Sequence, residues 1–257
     1  MKGALNMNSI YETDKLLAEY LLFHFGTADE ILPPNRQWPA GMHESLEFPK
    51  RTVAHFASDP VARGLDLGCA VGRSAFEMAR TCGHVTGIDF SHAFIGAAEA
   101  LRRGESLAYE RLDEALIRTR LIARPPEGID GEKLEFIQGD AMKLPDSLGA
   151  FDRVHAANLL CRLPEPMRLL ERLPVLVKPG GELVLATPCT WLEEFTAPAN
   201  WPPNGTFEWL KASLIPEFSL VRQAEEPFLI RETARKFQWT TSMVTVWRRK
   251  SAVEGAA

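Results

Sequence analysis

The chain lacks the signals of a metal or disulfide framework. Its four cysteines, Cys69, Cys82, Cys161 and Cys189, stand singly with no CxxC pair, which fits a reducing compartment. The histidines, His24, His43, His55, His84, His92 and His155, form no HxxxH pair and no His and carboxylate pairing on one helical face, so metal chemistry finds no support. Basic residues make no stripe, and the net charge of −5 argues against a nucleic-acid partner. Apolar runs are broken by charge or proline well before the ~20 residues that span a bilayer. The N-terminus shows no apolar core followed by a small-residue cleavage site. A soluble, cytoplasmic protein with no membrane partner is therefore expected. What is present is ordinary globular composition, 257 residues with 46% hydrophobic and 25% charged, which predicts one principal core.

The order of patterns is informative. "SIYETDKLLAEYLLFHFG" offers Ser9 and Glu12 at capping-box spacing, followed by an apolar stripe through Leu16, Leu17, Tyr20, Leu21 and His24. A proline-rich loop and a helix starting near Phe48 complete a flank or lid over residues 1–60. From Gly64 strand and helix patterns alternate: "RGLDLG", "RSAFEMART", "HVTGIDF", "SHAFIGAAEALRRG", "KLEFIQGD", "FDRVHAANLL" and "GELVLATP". Such alternation predicts parallel strands joined by right-handed crossovers. The segment 104–131 is too long for a usual connection and reads as an exposed hairpin. The two strand-like runs of "PFLIRETARKFQWTTSMVTVWRRK" predict a hairpin that closes the sheet.

"GLDLGCAVGRSAFEMA" is the first stretch that suggests chemistry, and three readings compete for it: a dinucleotide cradle, a methyl-donor site and a purely structural turn. Gly68 and Gly72 enclose Cys69, Ala70 and Val71, so the GxG of the dinucleotide fingerprint is missing, and no glycine precedes Lys and Ser or Thr as in a phosphate loop. The acids are more telling. Asp66 ends the first strand, where it could accept from an ammonium or orient the loop. Asp89, with Phe90 beside it, ends the second, where two carboxylate oxygens can take both ribose hydroxyls. Asp140 follows the third and can accept from an adenine amino group, while Ala141 offers its N–H to the ring. All three fall at the carboxyl ends of strands, the expected ligand crevice.

"LDLGCAVG", "TGIDFS", "QGDAMKLP" and "LVKPGGELVLATP" together resemble, in order and spacing, the motifs of the class I methyltransferases that use S-adenosylmethionine (SAM). The resemblance implies a Rossmann-like α/β fold with a mostly parallel seven-stranded sheet and helices on both faces. It also implies SAM as donor, S-adenosylhomocysteine as product and no metal. One domain over 1–257 is expected, with 61–250 as the SAM-binding core.

Acceptor groups are expected from the loops after the fourth and fifth strands and from the flanks. Asn158 could hold the amino-acid part of the donor or cap the next turn. Thr190, Trp191, Glu193 and Glu194 combine a hydroxyl, an aromatic wall and carboxylates, although each also suits a capped helix start. Arg231 and Trp239 lie in the closing hairpin, where a solvated edge is the default. In the N-terminal flank Tyr11, Trp38, His43 and Arg51 could cover the donor, and Arg51 could grip its carboxylate bidentately. His43, Glu193 and Glu194 are candidate bases.

A closer resemblance is carried by "IYETDKLLAEYLLFHFG", "FPKR", "AANLLCRLPEP", "TPCTWLEEFT" and "PFLIRETARKFQW". These segments resemble the 4-mercaptohistidine N-methyltransferase family, the methyltransferase part of ovothiol biosynthesis, whose members are often fused behind a sulfoxide synthase. The resemblance implies a small-molecule acceptor, 5-thiohistidine. The synthase part is absent from this sequence, so a separate sulfoxide synthase, or a further copy of the chain, is the partner to expect.

Overall fold

The computed structural model describes residues 11–251. Apolar runs such as Gly64–Leu67 and Val85–Ile88 are buried on both faces, and this places their strands at the centre of a covered sheet. The strands are β1 (Val61–Leu67), β2 (Cys82–Asp89), β3 (Leu107–Glu114), β4 (Ile117–Ala123), β5 (Leu134–Gln138), β6 (Phe151–Ala157), β7 (Val177–Thr187), β8 (Phe218–Arg231) and β9 (Phe237–Arg249). Seven of them form one sheet in the order β5-β2-β1-β6-β7-β9-β8, parallel except for β9. The order reverses between β1 and β6, so the ligand crevice of an open α/β sheet belongs above their carboxyl ends.

Helices cover both faces. They are α1 (Asp14–Phe25), α2 (Ala28–Ile31), α3 (Phe48–Val53), α4 (Arg73–Met78), α5 (His92–Arg102), α6 (Pro166–Leu176) and α7 (Thr206–Leu214). α6 and α7 bury Leu169, Leu173, Leu210 and Leu214 on one face with Leu65 and Leu67 of β1. On the other, α4 and α5 join α1, while Phe23 and Phe48 stack on Phe228 over β7, β8 and β9. The described part of the N-terminal flank packs as a layer of the domain.

The cap expected at Ser9 lies outside the described residues. α1 is capped instead by Thr13, whose hydroxyl accepts from Leu16 N. Glu12 serves another helix, its oxygens accepting from the free N–H groups of His92 and Ala93 at the start of α5 (2.8 and 3.1 Å).

The segment 104–131 does form the hairpin β3–β4, but it is exposed only in part. Leu116 at its tip is 89% exposed, whereas Tyr109 and Ala123 are buried in the core beside α1. Asp113 fastens it, accepting from Arg111 and Arg231, each at 2.9 Å. Arg231 was expected at the substrate site; it is instead 4% exposed and also donates to Ile31 O (3.0 Å), locking the hairpin to α2 and β8. Burial lowers its pKa to about 10, with Arg111 adding to the shift and Asp113 opposing it. β8 also begins earlier than Pro227, because its first half is an edge strand with mostly exposed side chains and no apolar run.

Gly72 caps α4 with φ +93°, and a Cβ there would stand 2.7 Å from Phe136 Cζ and 3.1 Å from Ala98 Cβ. Gly72→Ala combines left-handed strain with overpacking, so it should cost about 2 kcal/mol in urea unfolding. An unchanged midpoint would refute that packing.

Candidate functional site

The crevice is built from the tips of β1, β2, β5 and β6. Gly68 (φ +68°), Ala70 (φ +48°) and Gly72 turn the chain back after β1. Gly68 N and Cys69 N both donate to Ile88 O, and Ala70 N donates to Asp89 Oδ2 (2.9 Å), so the turn is laid onto the end of β2. Cys69 contributes backbone only: its thiol is buried, and burial, with the Asp89 and Asp66 charges, pushes its pKa well up. Gly68 faces Leu159, where a Cβ would come within 3.0 Å of that side chain.

Asp89 is the centre of this arrangement. Its Oδ1 accepts from Ser91 N (2.9 Å) and its Oδ2 from Ala70 N, which orients the carboxylate and leaves a lone pair on each oxygen. Burial pushes its pKa up to about 6, against the two backbone donors. Phe90 next to it is 46% exposed, and its carbonyl accepts from Gln138 at the tip of β5. Asp140 Oδ1 accepts from Met142 N (2.8 Å), and the buried Ala141 lies beneath it. These groups suit a ribose with an aromatic base beyond it.

The titration of Asp89 has a defined sign. If ribose hydroxyls donate to the ionised form, SAM affinity is full above the pKa and falls as pH drops through about 6. Calorimetry should give about a tenfold weaker Kd at pH 5 than at pH 7. Asp89→Asn should abolish that dependence, and a flat wild-type profile would contradict the assignment.

Two expected donor contacts are corrected. Asp66 is 1% exposed and points into the layer between the sheet and α3, because alternation along β1 sends Leu65 and Leu67 to the other face. Its Oδ1 meets His155 Nδ1 (2.8 Å), whose Nε2 meets Thr52 Oγ1 (3.1 Å), while Oδ2 is enclosed without a hydrogen-bond partner. Asp66 therefore supports the turn from below. The Arg51 fork is already occupied: Nε donates to Glu226 (2.8 Å) and Nη2 to Pro227 O, leaving Nη1 enclosed and unpaired. Glu226 also meets His55 Nε2 (2.8 Å), and His55 Nδ1 meets Arg222 (2.8 Å). Asn158 takes φ +55°, donates its N–H to Ala186 O and accepts on Oδ1 from Ser242 (2.7 Å), so the closing hairpin secures the tip of β6.

Of the acceptor candidates, Tyr11 reaches the crevice. Its carbonyl accepts from Ser91 Oγ (2.9 Å), its ring lies edge-on to Phe94, and burial raises the pKa of its hydroxyl, with the Arg162 charge opposing and the Asp89 charge adding to the shift. Thr190, Glu193 and Glu194 are exposed in the loop after β7. Trp191 turns away: its Nε1 donates to Thr206 (2.9 Å) and its ring meets Trp209. It walls a cavity of about 480 Å³ with Trp201, Phe207 and Met243. Trp38 donates to Pro33 O and packs on Phe237. Trp239 is 57% exposed and donates to Ser45 (2.7 Å). His43 is exposed and makes no side-chain hydrogen bond, so nothing positions it as a base. Sequence reading missed Arg162, lost in an apolar run, and Tyr20, taken as core; burial raises the pKa of the Tyr20 hydroxyl, and the Arg162 charge opposes that shift.

Comparison with known proteins agrees with this geometry. Residues 65–185 match a family described as a methyltransferase domain. The chain is 29% identical over 127 residues to the ubiquinone biosynthesis O-methyltransferase of Aeromonas salmonicida, covering 49% of this chain and 42% of that protein. Two solved structures show the same fold. The [4+2]-cyclase SpnF aligns with a TM-score of 0.61 at 17% identity over 97% of each chain. The N-methyltransferase NodS from Bradyrhizobium japonicum WM9, in complex with S-adenosylhomocysteine, aligns with a TM-score of 0.52 at 15% identity, covering 91% of this chain and 99% of NodS. The chain thus has the Rossmann-like fold of the class I SAM-dependent methyltransferases, with the matched methyltransferase domain over residues 65–185.

Proposed function

We propose that the protein transfers the methyl group of SAM to an imidazole nitrogen of a small imidazole thiol, 5-thiohistidine. The observation that carries the donor half is Asp89, held by Ala70 N and Ser91 N at the carboxyl end of β2 beside the matched methyltransferase turn. The acceptor half rests on the resemblance of the flanking segments and on the polar groups at this end of the sheet, Tyr11 tied to Ser91 and Arg162 tied to the loop after β7 that carries Glu194.

SAM supplies an electrophilic methyl on a sulfonium, which is displaced in line by the acceptor. The chain has two tasks in such a reaction, alignment and exclusion of water. Asp89 would fix the ribose, with Phe90 beside it and Asp140 and Ala141 beyond at the base. Tyr11 and Tyr20, the first edge-on and the second tilted against Phe94, would close the crevice from the N-terminal side. The thiolate of the acceptor is its stronger nucleophile, so selectivity for nitrogen must come from orientation that holds sulfur aside. Glu194, in the exposed loop after β7, is a candidate base.

Labelled SAM offered with a panel of acceptors tests the reading. Transfer to 5-thiohistidine over histidine and over a catechol is expected. Preferred transfer to the catechol would favour O-methylation, the chemistry named for the Aeromonas relative.

A further inference from the structure

Arg162 ends a single helical turn, Leu160–Arg162, just after the tip of β6. Its Nη1 donates to Cys161 O (3.2 Å) and Thr190 O (3.1 Å), which joins the loop after β6 to the loop after β7. Its guanidinium carbon stands 4.7 Å from the centre of the Phe195 ring. Two carbonyls and a ring face therefore fix the plane of the guanidinium.

Several enclosed arginines have a carboxylate partner: Arg51 has Glu226, Arg111 and Arg231 have Asp113, and Arg153 has Glu182, while Arg63 gives both of its Nη groups to backbone carbonyls, Ala150 O and Leu148 O. Arg162 is half-buried and forms no ion pair among the described residues. Its Nε and Nη2 have no hydrogen-bond partner among the described residues and are not enclosed. These two donors form the side-on edge that matches the two oxygens of a carboxylate. The two loops it joins follow β6 and β7, neighbouring strands whose carboxyl ends border the crevice, Glu194 lies in the second of them, and the Arg162 charge lowers the pKa of the Tyr11 and Tyr20 phenols against the effect of burial.

We propose that Arg162 anchors a carboxylate of the acceptor through its free Nε and Nη2 edge, making small carboxylates the substrate class of this site. This deepens the reading of the same site as a methyltransferase crevice and rests on it. Anchoring at a fixed fork orients the rest of the acceptor, so the anchor acts on binding and alignment rather than on the departing proton.

Steady-state kinetics of Arg162→Gln and Arg162→Lys, with 5-thiohistidine and with its carboxamide, test the proposal. Arg162→Gln should raise KM for the acid by about 30-fold and leave the Kd for SAM unchanged, as expected on losing a charged two-point contact. Arg162→Lys should recover part of that loss. The carboxamide should be a poor substrate for wild type and lose little more with Arg162→Gln. An unchanged KM, or a carboxamide used as well as the acid, overturns the proposal. If a panel acceptor without a carboxylate is the preferred substrate, the anchor is wrong while methyl transfer stands. Calorimetry of 5-thiohistidine on protein loaded with S-adenosylhomocysteine gives the same contrast without turnover, and equal binding by wild type and Arg162→Gln, or none by either, overturns it.

Discussion

Asp89→Ala is expected to weaken SAM binding by about 100-fold. Two ribose hydroxyls donating to one carboxylate are charge-assisted bonds worth about 1.5 kcal/mol each, and about 3 kcal/mol corresponds to that factor in Kd. The same change removes the acceptors of Ala70 N and Ser91 N, so the turn loses its tie to β2 as well as its ligand group. Stability must therefore be measured alongside affinity. Burial of Asp89 raises its pKa, which means the folded protein without ligand bears a cost for ionising it. Thermal unfolding of the unliganded variant should change little, because that relief offsets the lost backbone contacts. A Kd within threefold of wild type would contradict the ribose assignment.

His155→Leu is expected to be the most destabilising change near the site, by about 3–5 kcal/mol. The imidazole is fully buried and supplies the only hydrogen bond that the Asp66 side chain makes among the described residues. Its removal leaves a carboxylate enclosed beside the sheet with no donor. Asp66→Asn with His155→Leu should recover much of the loss, because the charge disappears with its partner. Urea unfolding of the two variants measures this. A loss below about 1 kcal/mol for the single change would mean that Asp66 finds another donor.

The sheet was legible because its signals are local. Alternating apolar strands and helix patterns give β1, β2, β5, β6 and β7 in order, and acids at strand ends follow directly, so Asp89 and Asp140 could be placed before any contact was known. Residues whose partners are distant in the chain were not legible. Arg231 reads as a solvated edge charge until Asp113, 118 residues away, is brought beside it. Arg51 reads as a free fork until Glu226 arrives from 175 residues away. Trp191 has the composition of a pocket wall and does line a cavity, but its N–H is taken by Thr206 at the start of α7, a partner 15 residues away. The edge half of β8 carried no apolar run because one strand neighbour and solvent are enough to hold it.

One measurement addresses both the SAM donor and the ring nitrogen that accepts its methyl group. The protein is incubated with carbon-13 methyl SAM and 5-thiohistidine, and the product is read by mass and by the chemical shift of its methyl carbon. The account predicts a product one methyl group heavier with the label on an imidazole nitrogen. Label on sulfur, or no labelled product from a protein that binds SAM, would contradict it.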